Sequence, residues 1–293
     1  MLKRTFQHLH GIGEKTEKRI WAAGITSWEE FLDVPRPAVL SPWQHDLACA
    51  ELERSLRALE TRNARYFTEK LSAQLHWRLY PEFGQRIAYL DIETTGTTAG
   101  VSAITVIGLY DGERPRVYVQ GQNLLRFVEE IEEFTLLVTY NGKLFDLPFI
   151  RRELGPSLEQ AHIDLRYPLA ALGYKGGLKK IERSLGLERE GPVALLDGWC
   201  AVLLWRYHEQ GEAGALETLL RYNLEDVVHL PQLLALVYNT RIQRLPFLLP
   251  PLDPLSSPSI PFGFNPTLIA RALAETGRGV GDQGGRVKPS VEL

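Results

Sequence analysis

The chain has almost no cysteine: Cys49 and Cys200 are the only two in 293 residues. They allow one disulfide at most, and neither stands in a CxxC or other metal-ligand spacing, which argues against a disulfide-stapled scaffold and a cysteine-held metal. Both read as reduced residues in or near a core. Long hydrophobic runs are also missing. The stretches 201–205 and 247–252 are far too short to cross a bilayer, and Met1-Leu2-Lys3-Arg4 leads into no signal-type apolar segment. No membrane partner and a cytoplasmic location are expected. A strong charge of one sign is absent as well. The formal net charge is −3, whereas phosphate-binding proteins are often strongly basic. That balance remains compatible with a nucleic-acid partner if some of the acids gather around a cation that neutralises them. No internal repeat is visible.

What is present is a globular composition, 44% hydrophobic and 24% charged, enough for one substantial core and smaller appendages. The first third reads as helical: Thr5 to Leu9, then a Gly11-Ile12-Gly13 turn, Thr16 to Ala23 stopped by Gly24, and Trp28 to Leu32 capped by Ser27. Helical spacing from Trp43 to Leu71 predicts one long helix or two shorter ones acting as a spacer. Period-two and continuous apolar stretches then predict five strands, at 87–93, 104–110, 116–119, 136–140 and 162–165. The first three form an antiparallel meander, with Asp111-Gly112 as a turn signal. Helices are expected at 124–134, 178–185 and 199–209, and over a long stretch from Ala215 to about Leu236. After Leu245 the chain is Pro-rich and ends Gly-rich, predicting extended or disordered segments apart from a short helix at 266–275. The fold class is therefore α/β, a mixed five-stranded sheet flanked by helices with a small all-α unit ahead of it. The expected divisions are 1–38, 39–84, 85–240 and 241–293.

The strongest chemical feature is Asp91-Ile92-Glu93 near the end of the first strand. Residues two apart on a strand project from one face. Two like charges on a strand that otherwise reads as central are costly unless a cation neutralises them. Hard carboxylate oxygens at this spacing suit Mg²⁺ or Mn²⁺. Taken singly, an exposed acid pair explains the same residues. Asp146, just ahead of Pro148, fits a helix cap as well as a ligand. Tyr222 and Asp226 lie one helical turn apart, on one face.

Three segments together resemble a known superfamily. Asp91-Ile92-Glu93-Thr94-Thr95-Gly96, then Tyr140-Asn141-Gly142-Lys143-Leu144-Phe145-Asp146-Leu147-Pro148, then Tyr222-Asn223-Leu224-Glu225-Asp226 are similar, in order, to the three exonuclease motifs of the DEDD superfamily in its tyrosine form. The wording of the second segment is most similar to bacterial YprB-like exonucleases, also called mitomycin repair factor B, and to the proofreading domains of family B polymerases. The resemblance spans about 86–236. It implies a ribonuclease H-like fold and two divalent cations with no small-molecule cofactor. Asp91 would bridge both cations, Glu93 and Asp226 would complete one site, and Asp146 would support the second. Tyr222 would orient the attacking water; with an ordinary pKa near 10 it is a poor base. Thr94, Thr95 and Gly96 could approach the terminal sugar, and Asn141 and Lys143 could hold a phosphate or base. Asp164, a strand acid after the second segment, could replace Asp146, but a structural role is expected for it and a core or surface role for His162.

Leu9-His10-Gly11-Ile12-Gly13-Glu14-Lys15, with Gly24-Ile25 downstream, resembles a helix-hairpin-helix. Backbone N–H groups around Gly11 and Gly13, with Lys15 and Lys18, would hold a DNA phosphate. Residues 1–20 hold five basic and two acidic residues, a local +3, and a purely structural hairpin is the competing reading. Lys175, Lys179, Lys180 and Arg183 form a second basic cluster that either lines a substrate groove or is a solvated helix face. Three functions are consistent with these residues: a DNA exonuclease, 3′ to 5′ by resemblance; an RNA-processing exoribonuclease; and a non-catalytic nucleic-acid-binding scaffold. The hairpin favours DNA, and the intact acid set disfavours the scaffold. The resemblance also implies a repair context and a helicase partner engaged by the Pro-rich tail.

Overall fold

The computed structural model describes residues 1–98, 100–189 and 191–277. Five helices come first: α1 (Glu14–Ala22), α2 (Trp28–Asp33), α3 (Pro42–Glu60), α4 (Ala64–Lys70) and α5 (Tyr80–Phe83). Ser27 and Ser41 each close a capping box, with Glu30 and Gln44 respectively, so these helix starts are written in the local sequence. The stretch 43–71 is two helices, broken at Arg62, whose φ is +52°. The helix expected over Thr5 to Leu9 does not form; a short 3₁₀ turn, Leu2–Arg4, precedes a run of turns. The cause is Glu17. Its buried carboxylate accepts from Thr5 Oγ1 at 3.0 Å and from the Phe6 and Gln7 backbone N–H groups at 2.7 and 3.3 Å. Arg78 completes the arrangement with a bidentate ion pair to Glu17, at 2.7 and 2.9 Å.

The sheet follows as β1 (Ile87–Thr94), β2 (Ile104–Tyr110), β3 (Pro115–Val119), β4 (Leu136–Thr139) and β5 (Ala161–Asp164), in spatial order β3-β2-β1-β4-β5. β1 to β3 are an antiparallel meander, and β4 and β5 run parallel to β1. The chain reverses its winding direction at β1, so the cleft outside the carboxyl ends of β1 and β4 is a topological switch point, the usual binding place of such sheets. The β1–β2 register shifts between Glu93 and Thr94, and the pairing resumes at Thr94 with Ile104.

Helices α6 (Arg126–Glu130), α7 (Asp146–Leu154), α8 (Arg166–Ala171), α9 (Leu178–Ser184), α10 (Gly198–Glu209), α11 (Ala215–Val227), α12 (Leu230–Ile242) and α13 (Pro266–Glu275) surround the sheet. The expected long helix from Ala215 is two, because Pro231 has no N–H to continue the ladder and instead opens α12. One face of the sheet, with Leu90, Ile92, Ile107 and Leu109, packs on Phe127, Leu147 and Ile150. The other face presents Tyr89, Leu136, Val138 and Ile163 to a core that runs without interruption into Trp28, Phe31 and Phe67 of the N-terminal helices. The segment after α12 is an extended strap. Asn239 fixes it through two 2.8 Å bonds with the Leu252 backbone, and Glu217 and Thr218 hold Gly263 and Asn265. α13 then lays Leu268, Ile269, Ala272 and Leu273 against the α10–α11 core. The Gly-rich end of the chain lies outside the described residues. No helix among the described residues is long and apolar enough to cross a membrane.

Candidate functional site

Alternation along β1 puts Asp91 and Glu93 on the face covered by α11, and α11 brings Asp226 down onto them. One ligand oxygen from each of Asp91, Glu93 and Asp226 lies within 4.8 Å of the others. Asp146, at the first turn of α7, borders the same cleft with its Oδ1 accepting from the Ile92 N–H at 3.2 Å. It is not one of the three mutually close groups. Tyr222, one turn before Asp226 on α11, also lines the cleft, whose volume is about 920 Å³.

The electrostatics follow from burial. Desolvation first, then repulsion from Asp146, Asp226 and Glu93, pushes Asp91 well above the usual carboxylate range. Burial and Asp226 do the same to Glu93. Asp146, chiefly through burial, is pushed up to about 7. Carboxylates that resist ionisation together at neutral pH form a site that gains from a cation, and an all-oxygen donor set fits Mg²⁺ or Mn²⁺. Burial, with Asp226 and Glu93 adding to it, raises the Tyr222 hydroxyl well above its ordinary value. Lys179 Nζ donates to that hydroxyl at 3.1 Å and sits 4.2 Å from the ring centroid. Its own pKa is lowered by burial.

The other sequence-derived residues divide. Thr94, Gly96 and Asn141 line the cleft. Thr95 does not; its hydroxyl accepts from the Ala103 N–H and closes the loop behind the site. Lys143, expected beside a phosphate or base, is outside the cleft and borders a separate cavity of about 550 Å³ with Arg65, His76 and Arg151. The reason is the turn at Asn141, whose φ is +71°, and the Asp164 carboxylate, which binds the backbone N–H groups of Asn141, Lys143 and Arg166 at 2.7, 3.1 and 3.1 Å. Asp164 thus builds the loop, and His162 Nε2 meets Thr139 Oγ1 at 2.9 Å. Of the basic cluster, Lys175 and Lys179 line the cleft. In the segment expected to be a helix-hairpin-helix, turns and not a helix precede Gly11, which has φ +71°, and Gly13 caps α1 with no side-chain bond. Lys15 is exposed, while Lys18 pairs with Glu14 at 2.6 Å.

Three contributors were not singled out from the sequence. Asn223 Nδ2 donates to Asp91 Oδ2 at 2.9 Å, and Arg189 pairs with Asp226 at 2.6 Å. Gly108 faces Asp91 across the β1–β2 ladder, and a Cβ there would collide with the Asn223 amide. The missing side chain is what lets α11 approach closely enough for Asn223 to reach Asp91. Gly108→Ala is expected to lower stability by about 1–3 kcal/mol through overpacking, as read by urea denaturation.

No curated protein matches the chain. Among solved structures it is similar to the family B DNA polymerase of the hyperthermophilic archaeon Pyrobaculum calidifontis, at 18% identity and a TM-score of 0.41. The match covers 54% of this chain and 24% of the polymerase, so the chain spans about a quarter of that protein's length. The profile of the RNase_H superfamily matches residues 88–238, over half of the sequence and the span that carries the sheet, the cleft and every carboxylate lining it, and the chain belongs to that superfamily.

Proposed function

We propose that the protein is a divalent-cation-dependent nuclease, acting on DNA as a 3′-to-5′ exonuclease of the DEDDy type. The observation that carries this reading is the convergence of Asp91, Glu93 and Asp226 within 4.8 Å in the switch-point cleft. Asp91, Glu93 and Asp226, with Asp146 beside them, are the residues that would hold two cations. When bound, two such ions stabilise charge on the attacking and leaving oxygens of an in-line displacement at phosphorus.

The chain's own groups supply the rest. The raised Tyr222 hydroxyl stays protonated at neutral pH, so it holds a water by hydrogen bonding and does not act as a base. Lys179, which also lines the cleft, fixes that hydroxyl by donating to it at 3.1 Å. Thr94, Gly96 and Asn141 form the wall where a terminal nucleotide would sit, and Lys175 and Arg166 add positive charge at the rim. The hairpin at Gly11 and Gly13, with Lys15, is a sequence-independent phosphate contact in this scheme. A repair role and a helicase partner belong to the same proposal.

The test is degradation of 3′-labelled and 5′-labelled DNA, with matched RNA, in Mg²⁺, Mn²⁺ or EDTA. Stepwise loss from the 3′ end of DNA that EDTA stops is the expected result. Preference for RNA would assign the site to RNA processing, and retained DNA binding without cleavage would make the chain a scaffold. Tyr222→Phe is expected to slow turnover by about 10²-fold, the scale of one positioned proton-handling group, with cation affinity unchanged in calorimetry.

A further inference from the structure

Arg189 follows α9 in a loop with no helical or strand periodicity, yet its side chain is only 3% exposed. Its Nη2 meets Asp226 Oδ1 at 2.6 Å and Glu182 Oε2 at 2.5 Å, and its Nε also reaches Glu182 Oε2 at 2.8 Å. Glu182 in turn meets His229 Nδ1 at 3.1 Å. The chain His229–Glu182–Arg189–Asp226 therefore ties α12, α9 and α11 to one ligand of the carboxylate cluster. Glu182 and His229 are themselves buried.

Glu182 accepts from two nitrogens of Arg189, Nε and Nη2. The third contact goes to Asp226, the one carboxylate of the cluster delivered by a helix and not by β1 or the β4–α7 junction. Without an opposing cation, Asp226 would face Asp91 and Glu93, two like charges, and would tend to turn away. A guanidinium is planar, permanently charged and less strongly hydrated than an ammonium, so it can bridge two carboxylates in a buried place. Arg189 engages Oδ1 of Asp226.

We infer that Arg189, oriented by Glu182 and His229, is a positioning residue that holds Asp226 toward Asp91 and Glu93 before any cation arrives. The inference rests on the cation-dependent reading proposed above. Outer partners of this kind commonly change metal affinity by about 10–100-fold when removed. Burial alone would depress the Arg189 pKa, but Asp226 and Glu182 raise it, so the charge is always present.

The experiment compares the full-length wild type with Arg189→Met, and with Arg189→Met/Glu182→Gln, which removes the buried charge that the single change would strand. Each folded protein is titrated with Mn²⁺ in a calorimeter and crystallised free of metal. The expected result is a loss of Mn²⁺ affinity of about tenfold or more in the double variant, with the Asp226 carboxylate turned away from Asp91. Wild-type Mn²⁺ affinity in a folded variant with Asp226 in place would overturn the positioning role while leaving the cation site intact. Failure of the wild type itself to bind Mn²⁺ would instead overturn the nuclease reading, and this inference with it.

Discussion

Asp91→Ala is expected to lower cation-dependent phosphodiester hydrolysis by roughly 10³-fold or more, because it removes a carboxylate on which the three others all act and not a peripheral contact. Asp91 is the meeting point of the site: Asn223 binds it, and Asp146, Asp226 and Glu93 all act on its charge. The same substitution is not expected to unfold the protein. It deletes a half-buried charge that its neighbours repel and strands the Asn223 amide that binds it, two effects of opposite sign, so the metal-free variant should melt close to the wild type. A variant that is folded, binds DNA and does not cleave would separate catalysis from binding. A variant that cleaves within tenfold of the wild type would remove Asp91 from the chemistry.

The second large effect is a pH-dependent instability relieved by metal. Asp146 has its folded-state pKa pushed from the ordinary 3.8 up to about 7, chiefly by burial. A carboxylate raised in this way binds its proton more tightly when folded. Its contribution to stability is therefore whole below about pH 4 and is lost as the pH climbs toward 7. Three pKa units amount to about 4 kcal/mol. His8 and His162, pushed down to about 3 by burial, act in the opposite sense, since they disfavour folding as the pH falls below the ordinary histidine range. The comparison that isolates Asp146 is thus wild type against Asp146→Asn, which keeps an oxygen to accept from the Ile92 N–H. In EDTA, urea denaturation should show the variant gaining on the wild type between about pH 4 and pH 7, and saturating Mg²⁺ should narrow the difference. A gap independent of both pH and Mg²⁺ would mean that Asp146 is not a strained member of the cluster.

The parts of this site legible in the sequence are those governed by local periodicity. Asp91 and Glu93 share a face because strands alternate, and Tyr222 and Asp226 share one because helices repeat every three to four residues. The five strands could be read from apolar runs and turn residues. What stayed hidden depends on contacts between segments far apart in the chain. Arg189 sits in an unpatterned loop and acquires meaning only when α11 places Asp226 beside it. Gly108 looks like any weak point in a strand until the Asn223 amide is seen to occupy the space its side chain would take. Lys143 follows the second motif closely, yet the Asp164 carboxylate, reaching from β5, takes its backbone N–H and directs the residue to another cavity. Turns stand at 5–9 where a helix was expected, and the Phe6 and Gln7 N–H groups there go to Glu17, ten and more residues along the chain. In each case a tertiary partner overrode the local preference. Glycine offered a signal that could have been followed: a lone glycine inside an apolar strand marks a close approach of another element.

The most direct measurement is anomalous scattering from a crystal of the protein soaked in Mn²⁺. A manganese peak within coordination distance of Asp91, Glu93 and Asp226, lost in Asp91→Ala, is the result expected if these carboxylates hold the catalytic cations. A folded, Mn²⁺-saturated crystal with no peak in that cleft, from protein that still cleaves DNA, would contradict it and place the chemistry elsewhere in the chain.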